Sequence, residues 1–165
     1  MQHYGVPTRL LDWTESALTG LYFAVENEKF SRVDGALWVL LPTELNKHSN
    51  IYSDEHFYIP SFEDKILKNY DPETYYQDKT SKLLPLAAIA SRNNTRMQAQ
   101  LGVFTISHRE NIPIENIGDQ KHIWKYNIPS SRKKEIKKEL ALLGFTKFQL
   151  FPELVSIGEI IKLNF

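Results

Sequence analysis

Apolar positions recur along the chain in two different periods, and the two together predict a mixture of helices and strands. Leu18, Leu21, Tyr22 and Val25 fall on one side of a 3.6-residue turn, which predicts a helix over 14–27. Gly20 inside it costs up to about 1 kcal/mol against alanine, so a close approach of another backbone is expected there. The unbroken apolar run 36–41 follows a Val33-Asp34-Gly35 turn and predicts a central strand buried on both faces. Pro42 suits the first turn of a short helix. Ser61 with Asp64 reads as a helix start and Asp71-Pro72 as a turn. Residues 83–90 read as a helical or buried segment running into Arg92-Asn93-Asn94.

Beyond Gly102, residues 103–107 read as a strand. Trp124, Tyr126 and Ile128 alternate with Lys125 and Asn127, the period-two pattern of a half-buried strand. An amphipathic helix is expected over 132–143, with Ile136, Leu140 and Leu143 inward and Gly144 as its stop. Phe148 and Leu150 alternate with Lys147 and Gln149 and predict a final strand. Pro152 then opens a last helix carrying Leu154, Ile157 and Ile161. Strict strand–helix alternation is missing, which favours an α+β fold in one domain over 1–165, with a mixed central sheet and flanking helices.

Composition narrows the function classes. At 42% hydrophobic and 12% aromatic, the 165 residues can build a substantial core. Cysteine is absent, which excludes disulfides, thiolate metal sites and cysteine nucleophiles. No run of about 18 apolar residues or leader pattern is present, so a cytoplasmic protein with no membrane partner is expected. Lys and Arg number 20 and so do Asp and Glu, so nucleic acid is not the favoured partner. The five histidines (His3, His48, His56, His108, His122) lack local ligand pairing, and no metal is expected.

The candidate chemistry is densest in residues 2–14, where His3, Arg9, Asp12 and Thr14 crowd in front of a helix. One interpretation is structural: Asp12 and Glu15 as a capping box, and Arg9 paired with Asp12 at the surface. The other is an anion site, because a helix N-terminus beside a forked guanidinium favours phosphate. Trp13, Tyr22 and Phe23 would then offer a flat apolar wall.

The run Gln2-His3-Tyr4-Gly5-Val6-Pro7-Thr8-Arg9-Leu10-Leu11-Asp12-Trp13-Thr14, followed by Leu21-Tyr22-Phe23-Ala24, closely resembles the FRG domain family. Arg96, Gln100, Gly102, Phe104 and Thr105 resemble its second block, and Phe151-Pro152-Glu153-Leu154 its closing block. The Phe/Tyr-Arg-Gly motif that names the family lies upstream of such a segment, so an upstream segment or a partner chain is expected to supply that arginine. The resemblance implies a remote likeness to ADP-ribosyltransferases, with NAD as the nucleotide substrate. It implies Glu153 as the catalytic acid, with Asp12 and Arg9 in the catalytic group. Gln2, His3, Thr8, Arg9, Trp13, Thr14, Tyr22, Arg96 and Gln100 would bind the nucleotide. Glu153 is equally an ordinary first-turn acid after Pro152. A non-catalytic nucleotide- or protein-binding module, or a defence or toxin effector completed by a partner, remains the alternative. Arg92 and Arg96 would share a face if helical, and at least one reads as solvated surface. Arg132, Lys133, Lys134, Lys137 and Lys138 form the one cationic cluster, most simply a solvated helix face.

Overall fold

A computed structural model describes residues 8–51, 58–93 and 95–152. Residues Leu10–Thr14 form strand β1, and the first helix, α1, spans Ala17–Glu26. The segment expected to open a helix at residue 14 is therefore extended through Thr14. The cap is Ser16, whose side chain accepts the Thr19 N–H at 3.2 Å. The Asp12–Glu15 capping box does not form, because Asp12 lies inside β1.

The remaining elements are β2 (Gly35–Leu40), α2 (Pro42–His48), α3 (Pro72–Gln77), β3 (Leu86–Ala88), α4 (Thr95–Gln100), β4 (Gly102–Ile106), β5 (Ile123–Ile128), α5 (Lys133–Leu142) and α6 (Lys147–Leu150). The fold is α+β, with the strands shared between a three-stranded sheet in the order β1-β4-β3 and a two-stranded sheet of β2 and β5. The chain divides into two compact units. The first takes the residues up to Trp13, from Val39 to Ser91 and from Val103 to Trp124; the second takes the rest.

In the first unit, β3 is buried along its whole length and pairs antiparallel with β4, Leu86 opposite Ile106 and Ala88 opposite Phe104. Of the helical or buried alternatives for 83–90, the buried one holds, with Leu86–Ala88 as its strand. Its other flank is closed by Asn46, a fully buried residue whose amide donates to the Ala87 carbonyl at 2.9 Å and accepts the Ala87 N–H at 2.7 Å. One side chain does the work of a neighbouring strand, so no buried backbone group of Ala87 is orphaned. Leu67, Tyr70, Leu86, Ala88 and Ile106 pack on one side of this layer, and Leu45, Ala87, Ile114 and Ile117 make a second cluster. The expected turn at Asp71-Pro72 starts α3 instead, with the Asp71 carboxylate accepting the Glu73 N–H at 2.7 Å. Pro42 opens α2, as its fixed φ favours.

In the second unit, α1 packs on α5, and Tyr22, Val25, Ile128, Leu140 and Leu150 form the core with Leu37, Ile136, Phe145 and Phe151. Gly20 makes room for a side chain, not a backbone: a Cβ there would sit 3.0 Å from Leu37 Cδ1. Strands β2 and β5, whose residues are divided between the two units, differ from expectation for the same reason, a sheet of only two strands. The run 36–41 is half-buried rather than enclosed on both faces, and Trp124 and Tyr126 are 46% and 58% exposed while Ile128 alone turns in. Helix α5 ends at Gly144, whose φ of +89° is the left-handed stop that glycine permits. Leu140 is its inward residue and Leu143 points out. Residues 147–150 are a short helix rather than a strand, capped by Thr146, whose hydroxyl accepts the Gln149 N–H. The expected last helix lies outside the described residues. Among the described residues no helix is long and apolar enough to cross a membrane.

The contrast on α5 is directly testable. Leu140→Ala should cost about 2–5 kcal/mol in urea unfolding because it opens a cavity between α1 and α5. Leu143→Ala, at a residue 64% exposed, should cost less than about 0.5 kcal/mol. Equal losses would place Leu143 inward after all.

Candidate functional site

The second unit brings three distant sequence blocks together through hydrogen bonds to backbone carbonyls. Thr14 Oγ1 donates to the Gln100 carbonyl at 2.7 Å, and Gln100 Nε2 donates to the Leu150 carbonyl at 2.8 Å. The Glu15 N–H donates to the Leu101 carbonyl at 3.1 Å, which extends the same seam along the chain. Arg96, one turn earlier on α4, lays its guanidinium over the Phe151 ring at 4.7 Å, and Phe23 meets the same ring edge-on at 5.9 Å. Arg92 lies before α4, not on its face with Arg96, and pairs with Glu15 at 2.6 Å. A cation, an aromatic face and a fixed carbonyl are thus gathered within a few residues of Pro152.

Tyr22 belongs to this unit but is 4% exposed and edge-on to Phe23. Burial, with help from Glu26, raises its hydroxyl to about 12. It is a core residue, and the flat wall beside Arg96 is Phe151.

The first unit holds a second arrangement of planar cations. Arg9 and Arg109 both lie against the Tyr75 ring, at 4.1 and 4.0 Å from its centre. Arg9 Nη2 donates to the Tyr70 carbonyl at 2.8 Å, and Arg109 Nη2 donates to the carbonyls of Tyr75 and Asp78. Arg9 Nη1 and Arg109 Nε are enclosed with no hydrogen-bond partner among the described residues. His108 sits edge-on to both Tyr70 and Tyr75 and accepts the Leu83 N–H on Nδ1 at 3.3 Å. Burial depresses its pKa first, then the charges of Arg109 and Arg9, while a backbone bond at Asn69 and the Asp78 charge oppose the shift. Asp78 is held well below the usual carboxylate range by hydrogen bonds from Ser81 and Thr80. Tyr70 donates to the Leu84 carbonyl, and burial pushes its hydroxyl up to about 12.

The other expected residues fall as follows. Thr8 and Asp12 are exposed. Trp13 packs against the cluster of Leu45, Ala87, Ile114 and Ile117 and donates its indole N–H to Thr105 Oγ1 at 3.1 Å. Arg9, Thr8, Asp12 and Trp13 are in the first unit; Thr14, Tyr22, Arg96 and Gln100 are in the second. Gln2, His3 and Glu153 lie outside the described residues. The grouping of Tyr75, His108 and Arg109 carries no sequence signal, since Tyr75 stands on the short α3 and the two basic residues follow β4 more than thirty positions on. His48 and His122 approach to 5.6 Å between ring centres, and Asp119 stands 3.7 Å from His48. Among the described residues no three His, Cys, Asp or Glu side chains are grouped to hold a metal.

The FRG domain family model matches residues 1–32 of the 165. No curated protein and no solved structure matches the chain. The match covers Arg9, Asp12, Trp13, Thr14 and Tyr22 and ends before Arg96, Gln100 and Phe151.

His108 gives the first unit a pH dependence. Its folded pKa lies below the ordinary 6.5, so above that pH both states hold a neutral imidazole and stability is unaffected. As pH falls below about 6.5 the unfolded chain takes up a proton that the folded chain refuses, and stability drops. Urea unfolding at pH 7.5 and pH 5.5 should show a larger acid loss in the wild type than in His108→Gln. Equal losses would mean that the neutral ring is not favoured by folding.

Proposed function

We propose that this chain is an FRG-type domain that breaks the nicotinamide–ribose bond of NAD and transfers ADP-ribose to an acceptor or to water. The observation that carries this reading is the Arg96–Phe151 stack with the Gln100 bond to the Leu150 carbonyl, two and three residues before Glu153 in sequence. It joins the second and closing blocks of the FRG resemblance to the signature's Thr14. The family match over residues 1–32, which includes Thr14, supports the FRG part of this reading.

The reaction needs few groups. The C–N bond electrons leave with nicotinamide, and positive charge builds on the ribose carbon. A carboxylate bonded to the neighbouring hydroxyl stabilises that charge, as in glycosyl transfer generally. Glu153 is assigned this task. Arg96 is assigned to the pyrophosphate, because a guanidinium is planar and its fork matches phosphoryl oxygens, and its face rests on Phe151. Thr14 and Gln100 act by position, since the Thr14 hydroxyl and the Gln100 amide are both committed to carbonyls.

Chromatography of NAD incubated with the protein tests the assignment, with and without a supplied upstream segment carrying the Phe/Tyr-Arg-Gly motif. Nicotinamide release is expected, and Glu153→Gln should cut it by about 10²-fold or more. Arg96→Ala should act mainly through a higher KM. Saturable NAD binding without release, weakened in Arg96→Ala, would instead make the domain a non-catalytic nucleotide-binding module. Neither binding nor release under any condition would end the NAD reading.

A further inference from the structure

A groove of about 590 Å³ in the second unit is lined by Lys133, Lys134, Lys137 and Lys138 of α5, with Val25, Glu28, Ser31, Ser130 and Ala141. Its charge is lopsided: four ammonium groups face one lining carboxylate, in a chain whose total charges balance. The four lysines divide into two pairs. Lys133 is buried and donates to the Phe30 carbonyl at 3.0 Å, and Lys137 donates to the Glu26 carbonyl and to Glu28. These two are fixed in the wall. Lys134 and Lys138 are exposed and have no hydrogen-bond or ion-pair partner among the described residues.

The acids nearby are already occupied. Glu28 takes Lys137, Glu135 takes Arg132, and Asp34 accepts both the Ser130 N–H and its hydroxyl. The lysines also crowd the first turns of α5, where the helix dipole opposes cations by a few tenths of a kcal/mol each. A solvated lysine face does not require concavity, but here the face is one wall of a groove. Gly35 keeps that wall close: a Cβ there would stand 3.0 Å from the Ala24 carbonyl and 3.2 Å from Lys133 Cε.

We propose that this groove binds a chain of two or three phosphoryl groups, gripped by Lys134 and Lys138. Their stems are four residues apart, about 6 Å along the helix axis. A phosphoanhydride chain can meet both ammonium groups at once, each through its own phosphoryl group. The helix N-terminus adds attraction of the same sign. Val25 and Ala141 supply an apolar strip for whatever the phosphates are attached to. The proposal is independent of the NAD reading, since it uses none of the residues assigned to glycosyl transfer and needs no turnover.

Calorimetric titration at low salt with sodium tripolyphosphate, and separately with ATP, tests it. Saturable one-to-one binding is expected, weakened roughly tenfold by the double variant Lys134→Gln/Lys138→Gln and by added salt. Lys121→Gln, at a surface lysine paired with Asp119 at 2.8 Å, should leave it unchanged. Equal affinities would identify the free phosphate chain as the ligand, and tighter ATP binding a nucleotide; both sustain the proposal. No saturable binding of either compound overturns it, as does binding indifferent to the double variant. A single-stranded oligonucleotide that binds far more tightly, with a site many nucleotides long, overturns it in favour of a nucleic-acid surface.

Discussion

Gln100 is the joint on which the second unit depends. Its carbonyl takes the Thr14 hydroxyl and its side-chain amide holds the Leu150 carbonyl, so one residue ties the end of the first strand to the approach of the closing block. Both bonds use backbone carbonyls, which substitution at residue 150 would not remove. Breaking the amide bond would leave a carbonyl beside the fully packed Leu150, an arrangement that costs roughly 1–3 kcal/mol when the group stays buried. The Arg96–Phe151 stack is downstream of this joint, because the ring follows the residue that Gln100 holds. The catalytic reading therefore rests first on an amide that performs no chemistry.

Both units use arginine in the same way. A guanidinium is laid against an aromatic ring, and for Arg9 and Arg109 part of its edge is given to a carbonyl. Arg9 and Arg109 do this on Tyr75, and Arg96 lies on Phe151. Such contacts are worth about 0.5–2 kcal/mol and orient the fork before any ligand arrives. Arg9 also builds the fold. It carries a fold-building bond to the Tyr70 carbonyl while one terminal nitrogen stays unpaired. The residue is structural in its present contacts and remains a donor.

The sequence was most legible where one residue decides the backbone. Pro42 opens a helix, Gly144 closes one, and Leu21, Tyr22 and Val25 of α1 and Ile136 and Leu140 of α5 turn inward as their period predicts, while Leu18 and Leu143 are exposed. It was least legible where tertiary cover decides. Trp124 and Tyr126 alternate like buried residues yet stay exposed, because a two-stranded sheet has too few neighbours to cover them. Residues 147–150 alternate like a strand, but the Thr146 cap makes a helical turn the local choice. Asp12 and Glu15 had the types of a capping box, and Ser16 won because β1 holds the backbone extended through Thr14. Arg96 and Gln100 in the second unit and Arg9 in the first were visible as motif residues, while the grouping of Tyr75, His108 and Arg109 in the first unit became visible only once the chain had folded.

Lys133 shows why the cationic face of α5 is more than solubilising charge. A lysine 7% exposed at the start of a helix is unfavourable twice over, by desolvation and by the dipole. A purely solvated face would turn this residue outward, as Lys134 and Lys138 are turned. Instead its stem passes Gly35 and its ammonium is seated on the Phe30 carbonyl, which ties the helix to the turn at Glu28–Phe30. Lys137 repeats the pattern one turn later at the Glu26 carbonyl. These two lysines spend their charge on fixing the wall, and that fixed wall presents the other two side by side. A concave surface with preset spacing is what separates a binding groove from a charged helix.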